Sequence, residues 1–114
     1  MTTLSTTHDE TIIEVRVSCP DEATASAIAD RIVGERLAAA ANIHAPISSR
    51  YHWKGRIERV SEVPLLLKTR RSLFKALATR ITELHPYETP SIIGFEAALA
   101  NQAYLTWVID ETAG

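Results

Sequence analysis

Apolar and polar residues alternate from Thr11 to Cys19, with Ile13, Val15 and Val17 on one side and Ile12, Glu14, Arg16 and Ser18 on the other. A period of two predicts a strand with one covered face. Pro20-Asp21-Glu22 then opens a helix, because proline suits the first turn and acids there complement the helix dipole. Its apolar stripe is Ala25, Ile28, Ala29 and Ile32, reaching towards Leu37, while Asp30, Arg31 and Glu35 face away. Gly34 costs about 1 kcal/mol in helix propensity, which suits a point where another backbone comes close. Asn42 to Trp53 is expected to be extended, Lys54-Gly55 a turn, and Arg56 to Thr69 a returning strand with Val63, Leu65 and Leu67 inward. Pro64 cannot donate to a ladder, so it belongs at an edge, a bulge or a bend. Each arm of about twelve residues, at roughly 3.3 Å per residue, reaches near 40 Å. That is longer than a small sheet needs, so the tip half should project and seek a partner.

The second half repeats the scheme. Ser72 is placed to cap a helix, in which Phe74, Leu77, Ala78, Ile81 and Leu84 follow the helical period. Ser91 to Leu99 alternates as a last strand, with Ile93, Phe95 and Ala97 against Ile92, Gly94 and Glu96. Asn101 to Ile109 reads as a short helix carrying Tyr104, Trp107 and Val108 on one side. The order is that of an α+β, ferredoxin-like βαββαβ sandwich with a long β-hairpin and a short C-terminal helix. Residues 1–10 are Thr/Ser-rich and read as a flexible tail, and residues 11–114 as a single domain.

Composition narrows the function classes. A formal net charge of −2 argues against an electrostatic nucleic-acid binder. Arg50, Lys54, Arg56 and Arg59 do cluster beside Tyr51 and Trp53, which keeps base stacking open as a minor reading. Aromatic residues at such a place are enriched at interfaces, so Tyr51 and Trp53 are read first as subunit packing. The lone Cys19 cannot form an intramolecular disulfide and fits a cytoplasmic setting. No apolar run approaches the roughly 20 residues of a membrane span. With 4 glycines and no phosphate loop, nucleophile elbow or dinucleotide fingerprint, the chain shows no signature of an enzyme.

The candidate chemistry gathers at His85-Pro86-Tyr87-Glu88-Thr89-Pro90. Pro86 ends the preceding helix at His85, and Pro90 steers Thr89 into an extended conformation. Between them an imidazole, a phenol and a carboxylate sit on a stiff loop. His85 suits copper or zinc, or proton movement near neutral pH; a helix-terminal histidine bonded to the last carbonyls is the other reading. Glu62, Lys68, Tyr87 and Glu88 could form a polar cleft for a small anion or a metal ion, or a salt-bridged sheet face with a turn tyrosine. Cys19 is a soft ligand by chemistry but a small buried thiol by habit. His8, His44 and His52 are scattered, and no His or Cys pair has structural-zinc spacing.

These residues, with Tyr51-His52-Trp53-Lys54-Gly55, Lys68-Thr69 and Glu35-Arg36-Leu37-Ala38-Ala39-Ala40-Ala41-Asn42, resemble the CutA divalent-cation tolerance family. The resemblance runs from about Val15 to Trp107. It implies a ferredoxin-like fold, a compact homotrimer, a cytoplasmic role in the response to metal ions, and a His85 loop lining an inter-subunit cleft. Many members carry Cys where this chain has Ala40 and Glu where it has Ser91, so two potential metal ligands are missing. The expected function is therefore divalent-cation tolerance without catalysis. No cofactor would be tightly bound, and a divalent ion, copper first, would be held weakly by His85, Glu62 and Glu88. Lys68 and Tyr87 would line the cleft. Two alternatives stand beside it: a sensing module for a small molecule or anion, resembling the PII proteins, and a ligand-free scaffold trimer.

Overall fold

Alternation along two central strands decides which side of the molecule is core. The protein is described by a computed structural model over residues 10–113. In chain order the elements are β1 (Ile12–Cys19), α1 (Glu22–Gly34), β2 (Ala40–Ile43), β3 (Ile47–Trp53), β4 (Arg56–Arg70), a 3₁₀ turn (Arg71–Leu73), α2 (Phe74–Leu84), β5 (Ile92–Glu96) and α3 (Gln102–Glu111). β1 pairs antiparallel with β4, Ile12 opposite Arg70 and Cys19 opposite Val63. Val15, Val17, Cys19, Leu65 and Leu67 point to one face and are fully buried. α1 and α2 cover them with Ala25, Ile28, Ile32, Leu77 and Ile81. The sheet order is β2-β4-β1-β5, all antiparallel, with β3 continuing along β4. This is the ferredoxin-like arrangement with its long hairpin and C-terminal helix. The opposite face is not covered by the two long helices: Ile93 and Phe95 are half exposed there, and the Arg16 guanidinium lies 5.6 Å from the Phe95 ring.

The first arm of the hairpin is not one strand. Ile43 faces Leu65 and Ile47 faces Glu62, so residues 44–46 oppose only residues 63 and 64. One extra residue makes a bulge, and bulges bend and twist the strand that carries them. Pro64 stands opposite this break, as its missing N–H requires, and its carbonyl accepts from the His44 amide at 2.9 Å. Beyond the bulge β3 and the outer part of β4 pair only with each other and run out from the sheet. The molecule measures 56 × 25 × 23 Å, with a radius of gyration of 15.4 Å, against about 13 Å for a compact chain of this length.

Helix ends depart from expectation in instructive ways. Asp21 caps α1: its carboxylate accepts from the Thr24 amide at 2.8 Å, and that bond holds the carboxyl below its usual range. Gly34 has open space around it rather than a neighbouring backbone. The left-handed residue is Arg36, at φ 61°. The Leu37 amide donates to Ile32 and the Arg36 amide to Val33, the two bonds of a Schellman cap. Leu37 thus folds back against the core from beyond the helix. Ser72 does not cap α2; it lies in the 3₁₀ turn and donates to Glu10 Oε1 at 3.0 Å. Glu10 also meets Arg70 at 3.5 Å, so the last residue of the expected tail is fastened, and residues 1–9 lie outside the described range. The final strand stops at Glu96 rather than Leu99. Gly94 lets the Phe74 ring lie close, since a Cβ there would stand 3.2 Å from it.

Two outcomes follow from this packing. Arg36→Gly and Arg36→Ala both remove the exposed contacts of the guanidinium with Glu111. They differ in the left-handed backbone, which costs a non-glycine residue about 1–2 kcal/mol. Glycine should therefore be the more stable variant by about 1 kcal/mol in paired urea melts, and equal midpoints would remove the cap argument. Cys19 is buried, and that burial, with Asp21 and Glu62 nearby, pushes its thiol up to about 11 from 9.0. A raised folded-state value favours the protonated form. The contribution to stability is complete below pH 9 and is lost as pH climbs towards 11. At pH 8, iodoacetamide should modify Cys19 only in step with unfolding along a urea series; rapid labelling of the folded chain would contradict this.

Candidate functional site

A two-residue turn sets one wall of the site. Lys54 and Gly55 adopt φ values of 51° and 80°, the pair of positive angles that matches the twist of a tight hairpin. Trp53 therefore faces Arg56, Tyr51 faces Glu58 and Ser49 faces Val60. Cross-strand partners share a face, so Ser49, Tyr51, Trp53 and Glu58 look the same way.

The loop after α2 makes the other wall. His85 leaves the helix at φ −85° and ψ 139°, the extended state that Pro86 imposes. Its ring is only 7% exposed. Nδ1 accepts from the Tyr87 amide at 3.1 Å, which leaves Nε2–H to donate to the Ser18 carbonyl at 2.8 Å. His85 thus staples the loop to the end of β1, and its ring packs against Tyr87 with centroids 4.7 Å apart. The partner is a strand carbonyl, not one of the last helix carbonyls. The Tyr87 hydroxyl donates to Glu62 Oε2 at 2.9 Å, and Glu62 is 5% exposed. Burial raises the Tyr87 phenol well above its ordinary value, and the bond and charge of Glu62 add to the shift. At the mouth, Lys54 reaches across to Glu88 at 3.3 Å while lying 5.4 Å from the Trp53 ring. Between the walls is a cleft of about 580 Å³, with Ser18, Thr89 and Ser91 also on its lining.

The structure thus brings Glu62, Tyr87, Glu88, Tyr51 and Trp53 to one cleft, with His85 behind the loop as its anchor. Lys68 is not among them within one chain. It hydrogen-bonds Asn42 at 2.6 Å and pairs with Glu14 at 3.1 Å, six positions along β4 from Glu62 and so roughly 20 Å away. Ala40 sits opposite Lys68 on β2, whereas Ser91 lies in the cleft lining. His52 stands at the cleft, His44 is exposed at the bulge, and His8 is outside the described residues.

The donor set does not make a resident metal centre in one chain. Among the described residues no three His, Cys, Asp or Glu groups converge. Both nitrogens of His85 are committed, and Glu88 is held by Lys54. Sequence reasoning passed over Glu58 and Asn42. Glu58 was within reach, because a two-residue turn at Lys54-Gly55 places it opposite Tyr51. Asn42 as the partner of Lys68 depends on the register of β2, which the bulge conceals.

Comparison with known proteins covers nearly the whole domain. The family model for CutA1 divalent ion tolerance protein matches residues 13–111. Protein CutA of Mus musculus is 44% identical over 92 residues, 81% of this chain but 52% of that protein, so the chain spans about half the length of this relative. The divalent-cation tolerance protein CutA of Pyrococcus horikoshii is 41% identical over 101 residues, covering 89% of this chain and 98% of the relative. The crystal structure of CutA1 from Oryza sativa superposes with a TM-score of 0.87 at 34% identity, over 90% of this chain and 94% of the other. The extent of the family match, the identity to the relatives and the superposition agree: the chain belongs to the CutA1 divalent ion tolerance family.

Proposed function

We propose that this chain serves divalent-cation tolerance as a cytoplasmic homotrimer that holds a divalent transition ion, copper first, loosely and reversibly as cargo at the cleft. The observation that carries the reading is Glu62. The residue is only 5% exposed, Tyr87 holds Oε2, and no buried oxygen among the described residues is left without a partner, so the other oxygen is open to the cleft. An acceptor-only oxygen open to the cleft is a place for a cation to bind. Glu88 stands at the same cleft on an exposed pair with Lys54 that an ion could displace at small cost. His85 would have to release the Tyr87 amide to ligate, so water and a neighbouring subunit complete the shell and affinity is modest. The role is binding rather than catalysis. In support, Cys19 and Tyr87 are both held protonated by burial, which removes the two most obvious nucleophiles.

The trimer rests on the projecting arm. Ile57 is 62% exposed and Ile47 45% exposed beyond the bulge, and the outer edge of β3 is unpaired among the described residues. Unpaired apolar edges invite another strand, and a head-to-tail contact between identical arms closes into a ring. The threefold number comes from the family resemblance.

Two measurements test this. Calorimetry with copper(II) should show binding that weakens at least tenfold in Glu62→Gln and several-fold in His85→Ala. Uptake equal to the parent in both variants would put the ion away from Glu62 and His85, on groups such as the exposed His44, and end the assignment. Light scattering should give about 38 kDa, three times 12.6 kDa, and the melting temperature should rise with protein concentration. Trp53→Ala should shift the mass towards the monomer, and a monomer mass for the parent at micromolar concentration would refute the trimer.

A further inference from the structure

We infer that the cleft between the β3–β4 hairpin and the His85–Ser91 loop binds an organic cation, a small molecule with a primary ammonium head. The inference rests on the cleft being the binding site, and it names a ligand class beyond the metal ion. Size is the first argument. A space of about 580 Å³ falls within the roughly 300–1,000 Å³ of small-molecule pockets and far exceeds one bare ion.

Charge is the second argument. Glu58, Glu62 and Glu88 line the cleft, with His52 and Arg50 beside them and Lys54 paired to Glu88 at the mouth. The Arg50 guanidinium is turned back on the Ser48 hydroxyl at 2.7 Å and the Ser49 carbonyl at 3.3 Å. Lys68, which an anion site would use, is held elsewhere by Asn42 and Glu14. The third argument is aromatic. Tyr51, Trp53 and Tyr87 contribute rings to the walls, and ring faces attract cations. The chain already supplies a precedent at the mouth: the Lys54 ammonium lies 5.4 Å from the Trp53 centroid and 3.3 Å from Glu88. Deeper in, Glu62 has Tyr87 on Oε2 only. A ligand ammonium there would donate to the other oxygen with aromatic walls around its carbon chain.

The test is a titration of the full chain with butylammonium chloride at constant ionic strength, read by calorimetry. Butan-1-ol, the neutral analogue of the same chain length, and sodium butyrate serve as comparisons. Butylammonium should bind in the millimolar range, the alcohol at least tenfold more weakly and butyrate more weakly still. Glu62→Gln keeps an acceptor for Tyr87 and removes the charge, and it should weaken butylammonium at least tenfold. Tyr51→Leu should weaken it several-fold. If circular dichroism shows Glu62→Gln unfolded, Glu58→Gln replaces it, with a loss of threefold or more expected. Equal binding of alcohol and ammonium, or an unchanged affinity in the folded carboxamide variant, overturns the inference. Copper uptake without butylammonium binding would overturn this inference alone. Butylammonium binding without copper uptake would overturn the metal reading alone.

Discussion

A largely buried glutamate at the end of a sheet sets the terms for the rest of the site. Glu62 is the last β4 residue before the in-sheet part of the strand begins, one position beyond the Cys19–Val63 pair. Its burial, if uncompensated, costs several kcal/mol. The Tyr87 hydroxyl offsets part of this, since a hydrogen bond to a charged group contributes about 1.5–3 kcal/mol. Tyr87 can be there only because its loop is held. Pro86 fixes the exit from α2, and the His85 ring joins the Tyr87 amide to the Ser18 carbonyl. The chain of dependence runs from the acid through the phenol and the imidazole to the backbone of β1. Loss of any link releases the next.

The bulge opposite Pro64 does the complementary work on the other wall. One extra residue in the first arm shifts the register between the in-sheet half and the outer half of the hairpin. An uninterrupted hairpin would be carried straight past the end of the sheet. The bend instead leaves Tyr51, Trp53 and Glu58 facing the His85 loop, and brings Lys54 to Glu88. Length makes the arm project, and the bulge aims it at the loop.

Much of this was legible in the sequence because it rests on short-range rules. The period-two alternation of β1 and β4, the helical stripes of α1 and α2, the Lys54-Gly55 turn and the Pro86 stop each follow from a few neighbouring residues. Pro64 announced a bend or bulge, though not that the opposite arm would carry the extra residue. What was hidden depends on competition between local signals. Gly34 suits a close backbone approach, yet it has open space, and the left-handed position falls to Arg36, whose cap bonds carry Leu37 back to the core. Ser72 looks like a cap, but Glu10, distant in sequence, took its hydroxyl. The juxtaposition of Glu62 and Tyr87, separated by a helix, needed the tertiary fold.

Histidine 85 shows why a functional residue type does not settle a function. On the page of sequence it is an imidazole on a stiff loop beside a carboxylate, and it suits a metal. In the structure its two nitrogens are both engaged with backbone, one as acceptor and one as donor. A group with no free lone pair acts through what it positions. The chemistry it positions is a buried carboxylate under aromatic walls, with Ala40 and Ser91 adding no metal donor of the usual kind. A shared fold carries over the scaffold and leaves the site to be argued from its own groups. Here those groups favour a positive charge, and their spacing favours one carried on a molecule large enough to touch both walls.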